Sequence, residues 1–213
     1  MPRILFIFLL SLATLLHADA RTPMRGWLTA MPNTVLPLLT ENDRLDLIDF
    51  HDARMEAVVT NQMDGKSRLD TLTEDFACIQ YTRSTEVAMK LLPVNDTTDI
   101  LCMVTTMKAN VSDSRITFFD AGWRPVDVAT CLDEPCMEDF RTTALCDSAE
   151  WAWSKVNTFF RTYHLCAENT DLRCILTTLD HLSKEDRAEV APYVRREPLT
   201  YGWTNGKFVR HEQ

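Results

Sequence analysis

The hydrophobic positions open with a continuous run and only later become periodic. Ile4 to Leu16 is apolar apart from Ser11 and Thr14. About 13 residues at ~1.5 Å each fall short of a bilayer core of ~30 Å. Arg3 precedes the run and Ala18-Asp19-Ala20 follows it, the charged, apolar and small-x-small order of a secretory signal peptide. Residues 1–20 therefore read as a targeting segment, cut between Ala20 and Arg21. Residues 21–32, with Pro23, Gly26 and Pro32, read as a linker-like lead-in. LTENDRLDLIDFHDARMEAV then predicts a helix. Thr40 is its N-cap, and Glu41 and Asp43 suit the positive end of the helix dipole. Leu45, Ile48, Asp52 and Met55, with Leu47 and His51, form an imperfect amphipathic stripe, and Asp64-Gly65 closes the segment as a turn.

From Lys66 to about Val128 the period drops to two. SRLDTLTE, DFACIQYT, TEVAMKLLPV, DILCMVTTMK, SRITFF and GWRPV are separated by short Asn, Asp, Ser and Gly clusters. That is the signature of an antiparallel meander. Residues 129–139 form a polar connection, and 148–156 fit a helix or a strand equally. FFRTYHLC and LRCILTTL predict a hairpin around ENTD.

The tail repeats an earlier pattern. LTENDRLDLIDF (39–50) and LSKEDRAEVAPY (182–193) share a hydroxyl N-cap, an acidic first turn and a closing aromatic. ITFFDAGWRPV (116–126) and LTYGWTNGKFV (199–209) both read strand, Trp, turn, strand, with Gly122 and Asn205-Gly206 expected to supply positive φ. The expected fold is α+β: antiparallel β-meander sheets with a few packed helices. The recurrence suggests two related halves, 21–128 and 129–213, packed as one unit.

These motifs also carry a resemblance. The leader, the LTENDRLDLIDF helix, the S-x-I-x-F-F-x-x-x-W strand and the closing L-x-Y-x-W-x-x-x-K-F-V hairpin resemble an uncharacterised family of secreted proteins from Bacteroidales-type bacteria. The resemblance covers nearly the whole chain beyond the leader and implies a place in the cell envelope of a Gram-negative anaerobe. It supplies no catalytic residue.

Charge narrows the partners. The net charge of −9 survives removal of the leader, whose Arg3 and Asp19 cancel. That sign repels phosphate backbones and anionic lipid, so nucleic acid is not an expected partner. No later apolar stretch is long enough to span a membrane, and no cysteine near the cleavage site offers a lipid anchor, the nearest being Cys78.

Seven cysteines raise the question of disulfides in an exported chain. Cys166 and Cys174 flank a hairpin turn, and Cys131 and Cys136 enclose LDEP; these are the candidate bridges. Cys78 and Cys102 sit within apolar strands as small hydrophobes. Neither candidate pair is spaced C-x2-C and no His lies at a ligand spacing beside them, and no metal or cofactor is expected.

Catalytic signals are weak. Neither a phosphate-binding glycine loop nor a G-x-S-x-G or H-E-x-x-H motif occurs. His51-Asp52 with Glu41 or Glu56 is a conceivable acid–base group, and Cys146 a conceivable nucleophile, the cysteine with no obvious partner. Trp151 and Trp153 share a face on a strand and diverge on a helix. On an open sheet face they would offer a platform for sugar or peptide, and they are the candidate contact surface. Trp123 and Trp203 read as hairpin packing residues. The expectation is an exported, non-enzymatic binding module for another envelope protein, a polysaccharide or a peptide. The alternative is a periplasmic or secreted hydrolase with a carboxylate or Cys–His site outside the known motifs.

Overall fold

The polypeptide departs from the expected lead-in at once. In the computed structural model, which describes residues 21–142 and 147–211, Met24–Ala30 forms a short helix, α1. Pro23 stands at its N-cap and lets the chain enter in extended geometry. Met24, Trp27 and Leu28, at i, i+3 and i+4, are buried, so this segment is core rather than linker.

Helix α2 (Glu41–Asp52) starts where the cap pattern places it. The Thr40 hydroxyl accepts from the Asp43 N–H at 3.2 Å, and the Asp43 carboxylate accepts from the Thr40 N–H at 2.8 Å. Its buried face is Arg44, Leu47 and Ile48 rather than the stripe through Asp52 and Met55. Arg44 can be buried because its guanidinium donates to the carbonyls of Leu28, Met31 and Leu39 and to the Asn33 side chain. A cation thereby closes the backbone loop between α1 and α2. The helix stops at Asp52, leaving Met55 exposed.

Seven strands follow in sequence order: β1 (Val58–Thr60), β2 (Lys66–Leu72), β3 (Phe76–Thr82), β4 (Thr85–Pro93), β5 (Asp99–Lys108), β6 (Ser112–Phe119) and β7 (Pro125–Val126). All neighbours are antiparallel, so the sheet is a simple meander. In the β6–β7 turn the Asp120 carboxylate accepts from the N–H groups of Gly122 and Arg124. Positive φ falls on Trp123 (+60°), not on Gly122 as expected.

A four-stranded antiparallel sheet lies across the first, in order β11-β10-β9-β8: β8 is Arg161–Leu165, β9 Leu172–Leu176, β10 Leu199–Thr204 and β11 Lys207–Arg210. Asn205 (φ +51°) and Gly206 (φ +81°) make the tight β10–β11 turn that their dipeptide predicts. Helices α3 (Val128–Cys131), α4 (Asp147–Trp153) and α5 (Lys184–Val190) occupy the connections.

Two apolar layers result. Leu101 and Met103 of β5 face α1 and α2 together with Ile79, Val87 and Met89. Cys102 and Val104, their neighbours, face the second sheet with Leu92, Phe118, Tyr163 and Phe208. Covering on both sides explains why ILCMV (100–104) is continuously apolar instead of alternating. A buried lysine ties the layers: Lys90 of β4 donates to the Ala167 carbonyl at 2.9 Å and pairs with Asp75 at 2.8 Å.

The architecture is α+β as expected, with sheets of unequal size. Ser183 caps α5 as Thr40 caps α2, its hydroxyl accepting from the Asp186 N–H at 3.0 Å. The surrounding order differs: α2 precedes its sheet, whereas α5 connects β9 to β10. Among the described residues, no helix is long and apolar enough to cross a membrane.

Candidate functional site

Residues 147–153 settle as helix α4. At ~100° per residue, two positions diverge by ~200°, so Trp151 and Trp153 cannot form one platform. Trp153 is 4% exposed and packs with Ala152, Val190 and Val194 under the Arg141 guanidinium. Trp151 is 57% exposed. The proposed pair therefore divides into a core residue and a surface residue.

The Trp151 ring is held in place. The Lys155 ammonium stands 4.2 Å from its centroid. Asp186 of α5, at 2.9 Å, and Glu189 both bind that ammonium. The hydrogen bond to Glu189, then that to Asp186, raise the Lys155 pKa; the bond from Lys155 holds the Asp186 carboxyl below its ordinary range. Two carboxylates thus fix the cation, and the cation fixes one face of the indole.

Beside the ring lies a groove of about 500 Å³ with Ala188, Pro192 and Tyr193 along it and Asp147 and Glu189 at its margin. A second hollow of about 470 Å³ shares Ala188 and Pro192 and continues past Leu176, Leu179 and Val194 to Arg195 and Arg196. The two hollows meet along α5 and the 3-10 turn Ala191–Tyr193. Asp147 and Glu189 line the first hollow, and Arg195, Arg196 and Glu197 line the second. The arrangement can seat an extended ligand by aromatic and apolar contact, with charged side chains beside it.

The candidate bridges are not formed, and the six described cysteines are free thiols. Register separates the first pair: Cys174 lies opposite Tyr163, while Cys166 follows the Leu165–Leu172 pair that closes the hairpin. Cys174 points into the core, and the Cys166 thiol donates to Glu168 at 3.1 Å. In the second pair Cys131 is buried at the end of α3, whereas Cys136 is exposed and donates to Asp139 at 3.3 Å. Burial pushes the Cys174 thiol up to about 12 and the Cys78 thiol up to about 11. Burial also raises Cys102 and Cys131. These groups behave as small hydrophobes, not nucleophiles.

His51 lies in the last turn of α2 and Glu41 in the first, ~15 Å apart along the axis. Its neighbour Asp52 is engaged by Arg25 at 2.5 Å. Glu56 follows the helix and lines a different groove. His51 Nδ1 does stand 3.9 Å from Asp52, but that carboxylate is held by Arg25, and neither Glu41 nor Glu56 joins the pair. Cys146 and the cleavage-site residues Ala18 and Ala20 lie outside the described residues. Arg21 is described, and it donates to the Asn95 carbonyl at 2.7 Å and stands 3.6 Å from Asp99. Among the described residues, no group of three or more His, Cys, Asp or Glu could hold a metal.

Trp123 meets Trp27 and Phe119 at 5.5 Å, and Trp203 meets Phe208 at 4.9 Å while its N–H donates to the Pro93 carbonyl. Both serve packing. Sequence reading missed the partners of Trp151. Lys155 was four residues away and visible, but Ala188, Glu189, Pro192 and Tyr193 arrive only through folding.

No functionally curated protein matches the chain. A solved domain of an uncharacterized protein from Porphyromonas gingivalis W83 superposes with a TM-score of 0.79 at 27% identity, covering 91% of this chain and 100% of that one. That source is a member of the Bacteroidales. The profile of DUF3256, a protein family of unknown function, matches residues 17–208. The chain belongs to the DUF3256 family.

Proposed function

We infer that this is an exported cell-envelope protein that acts as a binding module through the Trp151 groove. The apolar run Ile4–Leu16 with Ala18-Asp19-Ala20 supports export. The binding role rests on one observation: Trp151 is exposed yet already fixed by Lys155, Asp186 and Glu189. Holding an exposed indole in place lowers the ordering cost of a contact. Tyr193 and Pro192 extend the same surface with further ring area. Such a surface suits a peptide segment of another envelope protein or a sugar chain.

Affinity capture from envelope extract tests this reading. Immobilised residues 21–213 should retain a partner that Trp151→Ala releases while its melting temperature is unchanged. Equal retention by both proteins would refute the groove as the contact surface. N-terminal sequencing of the exported protein should begin at Arg21; an intact Met1 in the membrane fraction would refute export by cleavage.

A further inference from the structure

A separate groove of about 680 Å³ crosses the free end of the seven-stranded sheet. The second sheet meets β4, β5 and β6 through β8, so the same face of β1–β3 is left open there. Leu69 and Ile79 point toward the helices, so Arg68 and Gln80 point to the other face. Val58 lies opposite Arg68, and Arg68 opposite Gln80, giving a three-strand floor. Leu38 and Met63 add apolar walls.

Met63 is displayed rather than loosely placed. It is 75% exposed on the turn between β1 and β2. Asn61, itself buried, accepts from the N–H groups of Met63 and Gly65 at 3.1 Å and donates to the Ser67 hydroxyl. Asp64 takes φ +58° in that turn, and a Cβ at Gly65 would come within 3.2 Å of Asn61. A fixed turn therefore holds a large apolar side chain outward at the groove.

The charge of this groove opposes that of the whole chain. Lys66, Arg68 and Arg83 line it against Glu56, in a protein of net charge −9. Arg68 is paired with Asp70, and Lys66 donates to the Thr60 hydroxyl. Arg83 has no carboxylate partner among the described residues. Cations beside the apolar side chains of Leu38, Val58 and Met63 match a ligand with an anionic head and an apolar body. The volume suits a small molecule better than a folded partner.

We propose that this groove binds a small apolar organic anion, a free amphiphilic carboxylate of the fatty-acid kind. The apolar body lies over Val58, Leu38 and Met63, and the carboxylate meets Arg83 and Lys66. The site is independent of the Trp151 groove.

Three probes test it on the mature chain: anilinonaphthalene sulfonate, uncharged N-phenylnaphthylamine, and laurate as competitor. The sulfonate should bind saturably and be displaced by laurate. Lys66→Glu with Arg83→Glu should weaken sulfonate and laurate about tenfold, equivalent to about 1.4 kcal/mol, and leave the uncharged probe in place. Met63→Ser should weaken all three. Met107→Ser, at another exposed methionine on β5 outside the groove, should weaken none. Circular dichroism checks that every variant is folded; all four positions are exposed, so folding should persist. Failure of laurate to displace the sulfonate, undiminished binding by the charge-reversed variant, or equal loss with Met107→Ser would each overturn the proposal.

Discussion

Two tryptophans two positions apart have opposite duties because a helix turns them to opposite sides. Trp153 contributes to the small core of α4 and α5, and Trp151 stays outside it. Trp153→Ala should destabilise the fold by about 3–5 kcal/mol, as large aromatic truncations in cores do. Chemical denaturation of Trp153→Ala beside Trp151→Ala measures the contrast; similar midpoints would contradict the assignment. Arg44 illustrates the limit of reading residues by polarity. In the sequence it is one more charge on an acidic helix, and nothing local says that it faces inward. Only the carbonyls of Leu28, Met31 and Leu39, freed where α1 ends and the loop turns, make a buried guanidinium favourable.

At the scale of elements, caps and turns were the most legible features. Thr40 and Ser183 each satisfy a helix N–H, so Thr40→Ala and Ser183→Ala should each cost about 0.5–2 kcal/mol in thermal or chemical denaturation. Unchanged stability in both would show that the caps are idle. The meander was legible for the same local reason: strands of period two between turn residues. What escaped was set by distance along the chain. Met24, Trp27 and Leu28 became a packed helix because the sheet offered them a face, although Pro23 and Gly26 had suggested a linker. The Trp151 groove needed α5 to fold against α4, and no spacing in either segment announces that meeting. The Cys166–Cys174 reading failed at the level of register, since proximity in a hairpin is not opposition across it.

The molecule as a whole is knit by ion pairs between distant segments, of which Arg210 with Asp139 at 2.5 Å is one. Burial alone would push the Asp139 carboxyl up; the Cys136 N–H and Arg210 outweigh burial and hold it below its ordinary range. A depressed folded-state pKa contributes stability above the unfolded value of about 3.9 and loses it as pH falls through the folded value. Asp139→Asn should therefore lose stability at pH 7 and match the parent at the acid end. Denaturation midpoints between pH 7 and pH 2 measure this; a constant difference across that range would contradict it.

The double-sided burial of β5 also sets an order in time. Synthesis delivers the seven-stranded meander first, and β8 to β11 complete the second layer only after Arg161 has emerged. Until then Leu92, Cys102, Val104 and Phe118 lack the cover that Tyr163, Leu172, Tyr201 and Phe208 bring. A nascent chain at that stage presents a broad apolar face and a thiol that the finished protein hides. Residues 21–128 produced alone should accordingly aggregate or bind a holdase chaperone, and Cys102 in them should react quickly with maleimide; a monomeric fragment with a protected thiol would contradict this. Wherever an oxidant reaches the chain, that interval is when Cys102 is most open to reaction. The speed with which the C-terminal strands close over the first sheet then sets how long Cys102 stays accessible.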